Sequence, residues 1–217
     1  MKKALLVGAN GLVGSNCLME LLDDPFYEKV EIWVRNSMKL SHPKLIEKIV
    51  DFDNLESIQS EEINHVYCCL GTTIKKAGSQ EAFIKVDYTY VVELAKFCEK
   101  ISVEKLLVVS SIGAKEKSSN FYLKTKGRME EAIKLYNIPG IYIFQPSFLL
   151  GKRNETRIGE SIGKVLINAS GVFMFGKLAK YKGIEAKTVA KSMIHFAKSS
   201  SNGIQIIESD QIKNSLK

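Results

Sequence analysis

Two serines, a tyrosine and a lysine are spaced so that together they could reduce a carbonyl group. Ser110 and Ser111 end an apolar segment, Lys105–Val109, which predicts a buried strand. Tyr122 lies eleven residues beyond Ser111, and Lys126 lies four residues beyond Tyr122. Because residues i and i+4 share one face of a helix, Lys126 can lie beside Tyr122, and the strand end can bring a serine hydroxyl to both.

These side chains are suited to proton transfer at a substrate oxygen. A phenol ordinarily has a pKa of about 10, and a nearby ammonium group lowers the pKa of a phenol. Tyr122 is therefore predicted to exchange a proton with the oxygen as a hydride moves, while a serine hydroxyl binds the same oxygen. Lys126 is predicted to activate the tyrosine and to hold a cofactor ribose. The spacing alone has little specificity, and the alternative is an ordinary helix start.

A glycine-rich turn near the start of the chain predicts a dinucleotide site. The segment Gly8–Gly14 has the sequence GANGLVG and joins a predicted strand, Lys2–Val7, to a predicted helix, Leu12–Asp23. Glycines at such a turn let the backbone approach a pyrophosphate and let the helix pack closely on the strand. The N–H groups and the dipole of the helix start attract phosphate. The alternative is a tight turn in an α/β protein that binds no cofactor.

Arg35 follows the second predicted strand, Val30–Val34, and favours NADP(H) over NAD(H). An NAD site usually has Asp or Glu about twenty residues beyond the glycine turn, whereas a cation accommodates the 2′-phosphate of NADP. This strand ends without an acidic residue, and a guanidinium group can bind a phosphate through two donors. The alternative is a solvated surface arginine.

Strand and helix patterns alternate along the chain, which is typical of an α/β protein. The strands are apolar, as in a parallel sheet covered by helices on both faces, and 217 residues suit one domain. We therefore predict a single doubly wound Rossmann domain over residues 1–217, with a mostly parallel sheet and a small C-terminal substrate-side region at about 147–185. The other predicted strands are Leu45–Phe52, His65–Leu70, Gly140–Phe144 and Ile204–Ile207, and the other predicted helices are Ser79–Lys100, Tyr122–Tyr136 and Ala186–Lys198. The last ten residues are predicted to fray.

Composition and charge argue against several classes of function. The net charge is +7, but the lysines are scattered and often stand beside glutamates, so we predict no nucleic-acid partner. We recognise neither a secretory signal nor an apolar run of transmembrane length, which predicts no membrane partner and a cytoplasmic location. The four cysteines and three histidines lack metal-ligand spacing, so we predict no metal site.

The glycine turn, the serine pair and the Tyr-x-x-x-Lys spacing together resemble the short-chain dehydrogenase/reductase superfamily. Further segments narrow the resemblance to its atypical members, the oxidoreductases related to the Tat-interacting tumour-suppressor protein. These segments are Cys69–Thr73 (CLGTT), Lys76–Gly78 (KAG), Val86–Asp87 (VD), Ser110–Ala114 (SSIGA), Ser118–Leu123 (SSNFYL) and Gln145–Gly151 (QPSFLLG). The resemblance covers the chain from Ala4 to about Ile194.

The resemblance implies roles for individual residues. The residues implied in cofactor binding are Gly8, Asn10, Gly11, Leu12, Val13 and Gly14 for the pyrophosphate, Arg35 for the 2′-phosphate, Asp51 and Phe52 for the adenine, Leu70, Gly71 and Thr72 for the adenosine and ribose side, and Lys126, Pro146 and Ser147 for the nicotinamide side. The implied catalytic residues are Ser111, Tyr122 and Lys126. The resemblance implies Ser111 rather than Ser110 as the catalytic serine. The chain departs from its relatives at Gln145, where they commonly have arginine.

The function implied is hydride transfer between NADP(H) and a small carbonyl or alcohol substrate, with Tyr122 as general acid/base, in a possible homodimer. The alternative is an NADPH-binding redox sensor or regulatory protein with little or no turnover. A third possibility is an isomerase or epimerase with tightly held NAD, which the short region after Pro146 and the presence of Arg35 disfavour. The candidates for an apolar substrate wall, or else for ordinary core, are Phe148, Phe173, Met174 and Phe175.

Overall fold

The structure, a computed structural model, describes residues 1–58, 62–151 and 182–217. Three of the predicted substrate-wall residues, Phe173, Met174 and Phe175, lie outside the described residues, as does most of the predicted substrate-side region. Phe148 is described and is 43% exposed, so it is not a core residue.

A parallel sheet forms the centre of the described fold. The strands are β1 (Lys2–Val7), β2 (Tyr27–Val34), β3 (Leu45–Ile49), β4 (His65–Cys68), β5 (Lys105–Val109), β6 (Gly140–Gln145), β7 (Leu149–Leu150), β8 (Ile184–Glu185) and β9 (Gly203–Glu208). The main sheet has the order β3-β2-β1-β4-β5-β6-β9, and every neighbouring pair in it is parallel, while β7 and β8 form a separate short pair. This order is that of a doubly wound Rossmann sheet, so the predicted fold class is confirmed.

Helices cover both faces of the sheet. The described helices are α1 (Leu12–Asp23), α2 (Ile74–Ala77), α3 (Gln80–Ile84), α4 (Tyr90–Lys100), α5 (Phe121–Ile133), α6 (Ala186–Lys198) and α7 (Ser209–Asn214). Buried residues of α1 and α6 pack against one face in a first apolar cluster. Buried residues of α4 and α5 pack against the other face in a second cluster. The alternation of strand and helix in the sequence therefore produces two cores separated by the sheet.

The predicted helix Ser79–Lys100 is interrupted in the structure. Helix α3 ends at Ile84, a π-helical turn spans Lys85–Thr89, and α4 follows. The π turn buries Asp87, which is 1% exposed. The apolar pattern predicted one continuous helix because hydrophobic periodicity does not report a single wider turn.

Two further differences are local and involve polar side chains. Strand β3 ends at Ile49 rather than Phe52, because the Asp51 carboxylate accepts hydrogen bonds from the Asp53 N–H and the Asn54 amide and so turns the chain. The prediction that the last ten residues fray is wrong, since α7 forms there. Glu208 and Gln211 form a reciprocal capping box at its start, and Ile212 is fully buried.

Candidate functional site

The glycine turn is built from bare backbone. Gly8 has a φ of +87°, and a Cβ on it would lie 2.6 Å from the carbonyl carbon of Cys69. A Cβ on Gly14 would lie 2.0 Å from the carbonyl oxygen of Gly8. The Gly11 N–H donates a hydrogen bond to the same Gly8 oxygen at 2.9 Å. The turn, the start of α1 and the end of β4 therefore meet at distances that only glycine permits at Gly8 and Gly14.

The start of α1 fits a phosphate. Gly11 caps the helix without a side-chain hydrogen bond, and the first turn contains no acidic residue. The first N–H groups of a helix have no acceptor within it, so the positive end of α1 is available to an anion. Asn10 is exposed at the tip of the turn, Gly11 and Leu12 are half-buried, and Val13 is buried. The N–H donors at this end of α1 suit the pyrophosphate of a dinucleotide.

Arg35, Asp51 and Phe52 follow β2 and β3 at the same edge of the sheet. Arg35 is exposed directly after Val34, the last residue of β2. The Asp51 side chain is engaged by its own turn. Phe52 is 6% exposed and packs against Tyr90, with ring centroids 5.5 Å apart. Because the Phe52 ring belongs to the core, any contact between Phe52 and an adenine would be made by the Phe52 backbone.

The loop after β4 is tied to the π turn through Asp87. The Thr72 N–H donates to Asp87 Oδ2 at 2.8 Å. A Cβ on Gly71 would lie 3.4 Å from Asp87 Oδ1, so the loop backbone rests on this carboxylate. Leu70 is half-buried and contacts the second apolar cluster. Asp87 has no predicted role, although it lies in one of the segments that carry the family resemblance.

Lys126 is buried as a charged group beside Asp87. Its side-chain nitrogen lies 2.8 Å from Asp87 Oδ1, and the residue is 3% exposed. Burial lowers the pKa of Lys126, but attraction to the Asp87 carboxylate and to Tyr122 outweighs burial, and the net result is a pKa above the ordinary value. The lysine therefore stays protonated at neutral pH.

Tyr122 lies at the start of α5, where packing and capping hold it. The Asn120 side chain caps the helix by accepting a hydrogen bond from the Leu123 N–H at 3.1 Å. The half-buried Tyr122 ring lies against fully buried Phe83, with ring centroids 5.7 Å apart. Tyr122 and Lys126 share one face of α5, as their spacing predicted, and Phe83 restricts the ring to that face.

The two serines have different surroundings. Ser110 is buried, and its hydroxyl donates to the buried carboxylate of Glu130. The Gln145 amide nitrogen donates to both oxygens of the same carboxylate, at 3.0 and 2.9 Å. Burial raises the pKa of Glu130, and the hydrogen bonds from Ser110 and Gln145 oppose that rise. Ser111 is half-buried, and its hydroxyl makes one long contact, 3.4 Å, to the Ile112 carbonyl. Ser111 is thus the serine whose hydroxyl is free for a substrate oxygen.

Pro146 and Ser147 connect β6 to the segment beyond it. The Pro146 carbonyl accepts a hydrogen bond from the Ile112 N–H at 3.0 Å, next to Ser111. The Ser147 hydroxyl donates to the Lys182 carbonyl at 2.6 Å and accepts from Ser209 at 2.9 Å. Since its hydroxyl is used in these contacts, the side chain of Ser147 holds the chain together, and a cofactor contact would fall to its backbone.

Three residues that shape this site were not predicted from the sequence: Asp87, Glu130 and Gly127. A Cβ on Gly127 would lie 2.2 Å from the backbone of Lys115, so glycine is required there for the loop after β5 to lie on α5. Glu130 continues the i, i+4 series of Tyr122 and Lys126 along α5, which was a visible signal. Asp87 had a weaker signal, an acid inside a helix that was predicted from its apolar positions.

The described residues show neither a metal-binding cluster nor a membrane-spanning helix. They contain no group of three or more His, Cys, Asp or Glu side chains arranged to hold a metal ion. Within 1–58, 62–151 and 182–217, no helix combines the length and the apolar character that crossing a membrane requires.

Comparisons with known proteins identify relatives of this chain. Residues 8–161 match the model of a family described as NAD(P)H-binding. Protein HTATIP2 of Rattus norvegicus is 28% identical over 223 aligned residues, covering 97% of this chain and 88% of that protein. Protein FMP52, mitochondrial, of Meyerozyma guilliermondii is 30% identical over 222 residues, covering 99% and 95%. Because that relative is named mitochondrial, the cytoplasmic location predicted above stays a prediction.

Among solved structures, MoeE5 in complex with UDP-glucose and NAD superposes with a TM-score of 0.70 at 14% identity, covering 97% of this chain and 79% of MoeE5. At this level of identity, the likeness shows a common fold and carries no substrate over to this chain.

Proposed function

The chain belongs to the NAD(P)H-binding family, among the atypical short-chain dehydrogenases/reductases that its motifs predicted, and from this premise we propose that it is an NADP(H)-dependent oxidoreductase acting on a carbonyl or alcohol. One observation carries the proposal. A buried ammonium group, Lys126, shares a helix face with a half-buried phenol, Tyr122, next to the loop of Ser111. A protein that only binds the cofactor has no need of a phenol beside this ammonium group.

Each residue of this set has a chemical task. In the direction of reduction, the Tyr122 phenol gives its proton to the substrate oxygen, and Lys126 stabilises the phenolate that remains. The Ser111 hydroxyl donates a hydrogen bond to the same oxygen and so stabilises the charge that develops on it. A bound nicotinamide supplies the hydride. Lys126 also holds the nicotinamide ribose, through an N–H of its ammonium group that does not interact with Tyr122.

Arg35 supports NADP(H) as the cofactor. It is exposed at the end of β2, and no acid stands there to repel a 2′-phosphate. Gly8, Asn10, Gly11, Leu12, Val13 and Gly14 would hold the pyrophosphate at the start of α1. The small-molecule substrate would enter beside Tyr122 and Ser111.

The proposal is tested by titrating the purified protein with NADPH and with NADH by calorimetry, together with Arg35→Asp. We expect the wild type to bind NADPH at least about tenfold more tightly than NADH, because a bidentate charge-assisted contact contributes about 1.5–3 kcal/mol. Arg35→Asp is expected to abolish the preference. Lys29→Asp is the matched control, since it makes the same charge change at the other, exposed end of β2.

The outcomes separate the alternatives. Equal binding of the two nucleotides would contradict the proposed specificity for NADP(H). Failure to bind either nucleotide would overturn the proposal that the protein is an oxidoreductase. Tight NADPH binding without turnover over a panel of carbonyl substrates would favour the alternative function, a cofactor-binding sensor.

A further inference from the structure

A buried carboxylate, Glu130, joins two strand ends to the helix that carries Tyr122. The Ser110 hydroxyl, directly after β5, donates a hydrogen bond to Glu130 Oε1. The Gln145 side-chain nitrogen, at the end of β6, donates to both carboxylate oxygens at 3.0 and 2.9 Å. All three of these polar residues are buried, and Glu130 is 3% exposed. One side chain of α5 therefore holds the ends of two strands.

The held strand ends lead directly into the proposed site. Ser111, whose hydroxyl is assigned to the substrate oxygen, is the next residue after Ser110. The Ser110 N–H donates to the Phe144 carbonyl at 2.7 Å, and the Ile112 N–H donates to the Pro146 carbonyl at 3.0 Å. These hydrogen bonds join the two strand ends on both sides of Ser111. The carboxylate that holds Ser110 therefore helps to fix where the loop of Ser111 lies against α5.

Glu130 lies on the side of α5 that carries the two other functional residues. It stands four residues after Lys126 and eight residues after Tyr122. Residues four apart on a helix are neighbours, with about 5–6 Å between their Cβ atoms. The Lys126 ammonium accordingly attracts the Glu130 carboxylate and lowers its pKa, although burial raises that pKa overall. A negative charge on Glu130 therefore lies one turn from the ammonium and two turns from the phenol.

Neutral donors rather than cations hold the Glu130 carboxylate. An ionised carboxylate only accepts hydrogen bonds, which suits the hydroxyl and the amide that donate to it. Within the part of the chain that the structure describes, Glu130 forms no ion pair, and the cations that act on it through space are Lys134 and Lys126. Lys126 is already paired with Asp87 of the π turn at 2.8 Å. The charge on Glu130 is therefore left largely uncancelled, and it opposes the ionisation of Tyr122.

We propose that Glu130 is a positioning residue that holds the loop of Ser111 against α5 and whose negative charge sets the pH at which Tyr122 loses its proton. Glu130 acts through Ser110 and through the field of its charge, rather than by contact with the substrate. This inference rests on the proposed function, because it requires that Tyr122 and Ser111 act on a substrate.

The effect of the charge is tested by measuring the ionisation of Tyr122 directly. The ultraviolet absorbance of phenolate is followed as the pH rises, and the curve of the same protein with Tyr122→Phe is subtracted to isolate this tyrosine. Glu130→Gln keeps the shape and an acceptor for Ser110 but removes the charge. We expect it to move the midpoint of the Tyr122 titration to lower pH by about half a unit, since a phenolate forms more easily without a negative charge nearby. Glu131→Gln is the matched control, because it makes the same change at an exposed carboxylate of the same helix, and we expect it to leave the midpoint unchanged.

A second variant offsets the charge without changing Glu130. Gln145→Arg places a cation beside the carboxylate, so we expect the midpoint of the Tyr122 titration to fall as it does in Glu130→Gln. The two variants change opposite partners of one contact, so a role limited to packing would not move both midpoints in the same direction. If the longer side chain at Gln145 prevents folding, the near-isosteric Glu130→Gln decides alone.

The contact with Ser110 is tested by kinetics. Ser110→Ala removes the hydroxyl that donates to Glu130 and leaves Ser111 in the chain. We expect kcat for the reduction of carbonyl compounds by NADPH to fall several-fold, because the Ser111 hydroxyl loses its alignment, while NADPH affinity stays within about twofold of the wild type. Ser110→Thr keeps a hydroxyl at this position and is expected to retain more turnover than Ser110→Ala.

Each failure leads to a different conclusion. Wild-type protein that binds no NADPH, or that binds it and reduces none of the carbonyl panel, would overturn the proposed function and this inference with it. In protein that binds NADPH, a Tyr122 midpoint that is the same in Glu130→Gln as in the wild type would overturn the inference alone, as would wild-type turnover in Ser110→Ala. An equal shift in Glu131→Gln would also overturn it, because any carboxylate on α5 would then have the same effect.

Discussion

A Cβ atom on Gly127 would lie 2.2 Å from the backbone carbonyl carbon of Lys115. Helix α5 and the loop after β5 therefore meet through bare backbone at this point. Across the same contact, the Lys115 N–H donates a hydrogen bond to the Leu123 carbonyl at 3.1 Å. The contact fixes how far the loop of Ser111 lies from the helix of Tyr122.

Gly127→Ala is expected to push the loop off the helix. The extra methyl group meets backbone rather than a flexible side chain, so we expect the free energy of unfolding to fall by about 2 kcal/mol. Turnover is expected to fall more than NADPH affinity, because Ser111 moves while the glycine turn at Gly8–Gly14 does not. Urea unfolding and steady-state kinetics measure the two effects. Lys124→Ala, at an exposed position of the same helix, is the control and is expected to change neither.

Tyr122→Phe is expected to separate catalysis from binding. It removes the proton donor but keeps the ring that packs against Phe83. We expect turnover to fall by about two orders of magnitude or more, the usual contribution of general acid–base catalysis, with NADPH affinity within about twofold of the wild type. Tyr136→Phe, beyond the C-terminal end of α5, is the control. Turnover retained by Tyr122→Phe would remove the tyrosine from the mechanism.

The fold and part of the site could be predicted because they follow from local patterns. The apolar strands, the glycine turn and the spacing of Tyr122 and Lys126 each depend on residues close together in the chain. The ion pair between Asp87 and Lys126 could not be predicted in this way, since it joins residues far apart in sequence and depends on a π turn that periodicity does not report.

Other features were visible in the sequence but were not interpreted. Glu208 and Gln211 have the spacing of a capping box, which explains the short C-terminal helix that was predicted to fray. The burial of the Phe52 ring and the engagement of the Ser147 hydroxyl were different, because residue type alone does not say which way a side chain points.

Glu130 is expected to make stability depend on pH. Its neighbours on the packed elements are Ser110 directly after β5, Gln145 on β6, Lys126 on α5 and Lys134 directly after α5. Because burial raises the pKa of Glu130 above the value in the unfolded chain, the folded protein binds the proton more tightly. The contribution of Glu130 to stability is therefore present at low pH and is lost as pH rises through the folded pKa.

Glu130→Gln isolates this contribution, since it keeps the shape and removes the titration. We expect the free energy of unfolding of the wild type, minus that of Glu130→Gln, to fall as pH rises from about 4.5 toward neutrality. Urea unfolding at several pH values measures the difference. A difference that is constant with pH would mean that Glu130 has the same pKa in the folded and unfolded chains.

His65 is expected to act in the opposite direction. It is 2% exposed at the start of β4, and its Nδ1 shares a hydrogen bond of 2.8 Å with the Tyr27 hydroxyl. Burial lowers the pKa of His65 from 6.5 to about 4, while the Glu104 carboxylate opposes that shift. Because the unfolded chain takes up the proton first, stability is present above about pH 6.5 and is lost as pH falls toward 4.

Because the pKa of His65 differs between the folded and unfolded chains, we expect His65 to lower the free energy of unfolding by about 3 kcal/mol as the pH falls from about 6.5 to about 4. His65→Gln keeps a polar side chain and removes the titration, so its unfolding free energy is expected to vary less with pH than that of the wild type. His195→Gln is the matched control, because His195 lies on α6, outside the buried tyrosine contacts. Unfolding free energies that vary with pH in the same way for the wild type and His65→Gln would contradict the depressed pKa of His65. If the wild type instead became more stable relative to His65→Gln as the pH falls, folding would raise the pKa of His65 rather than lower it.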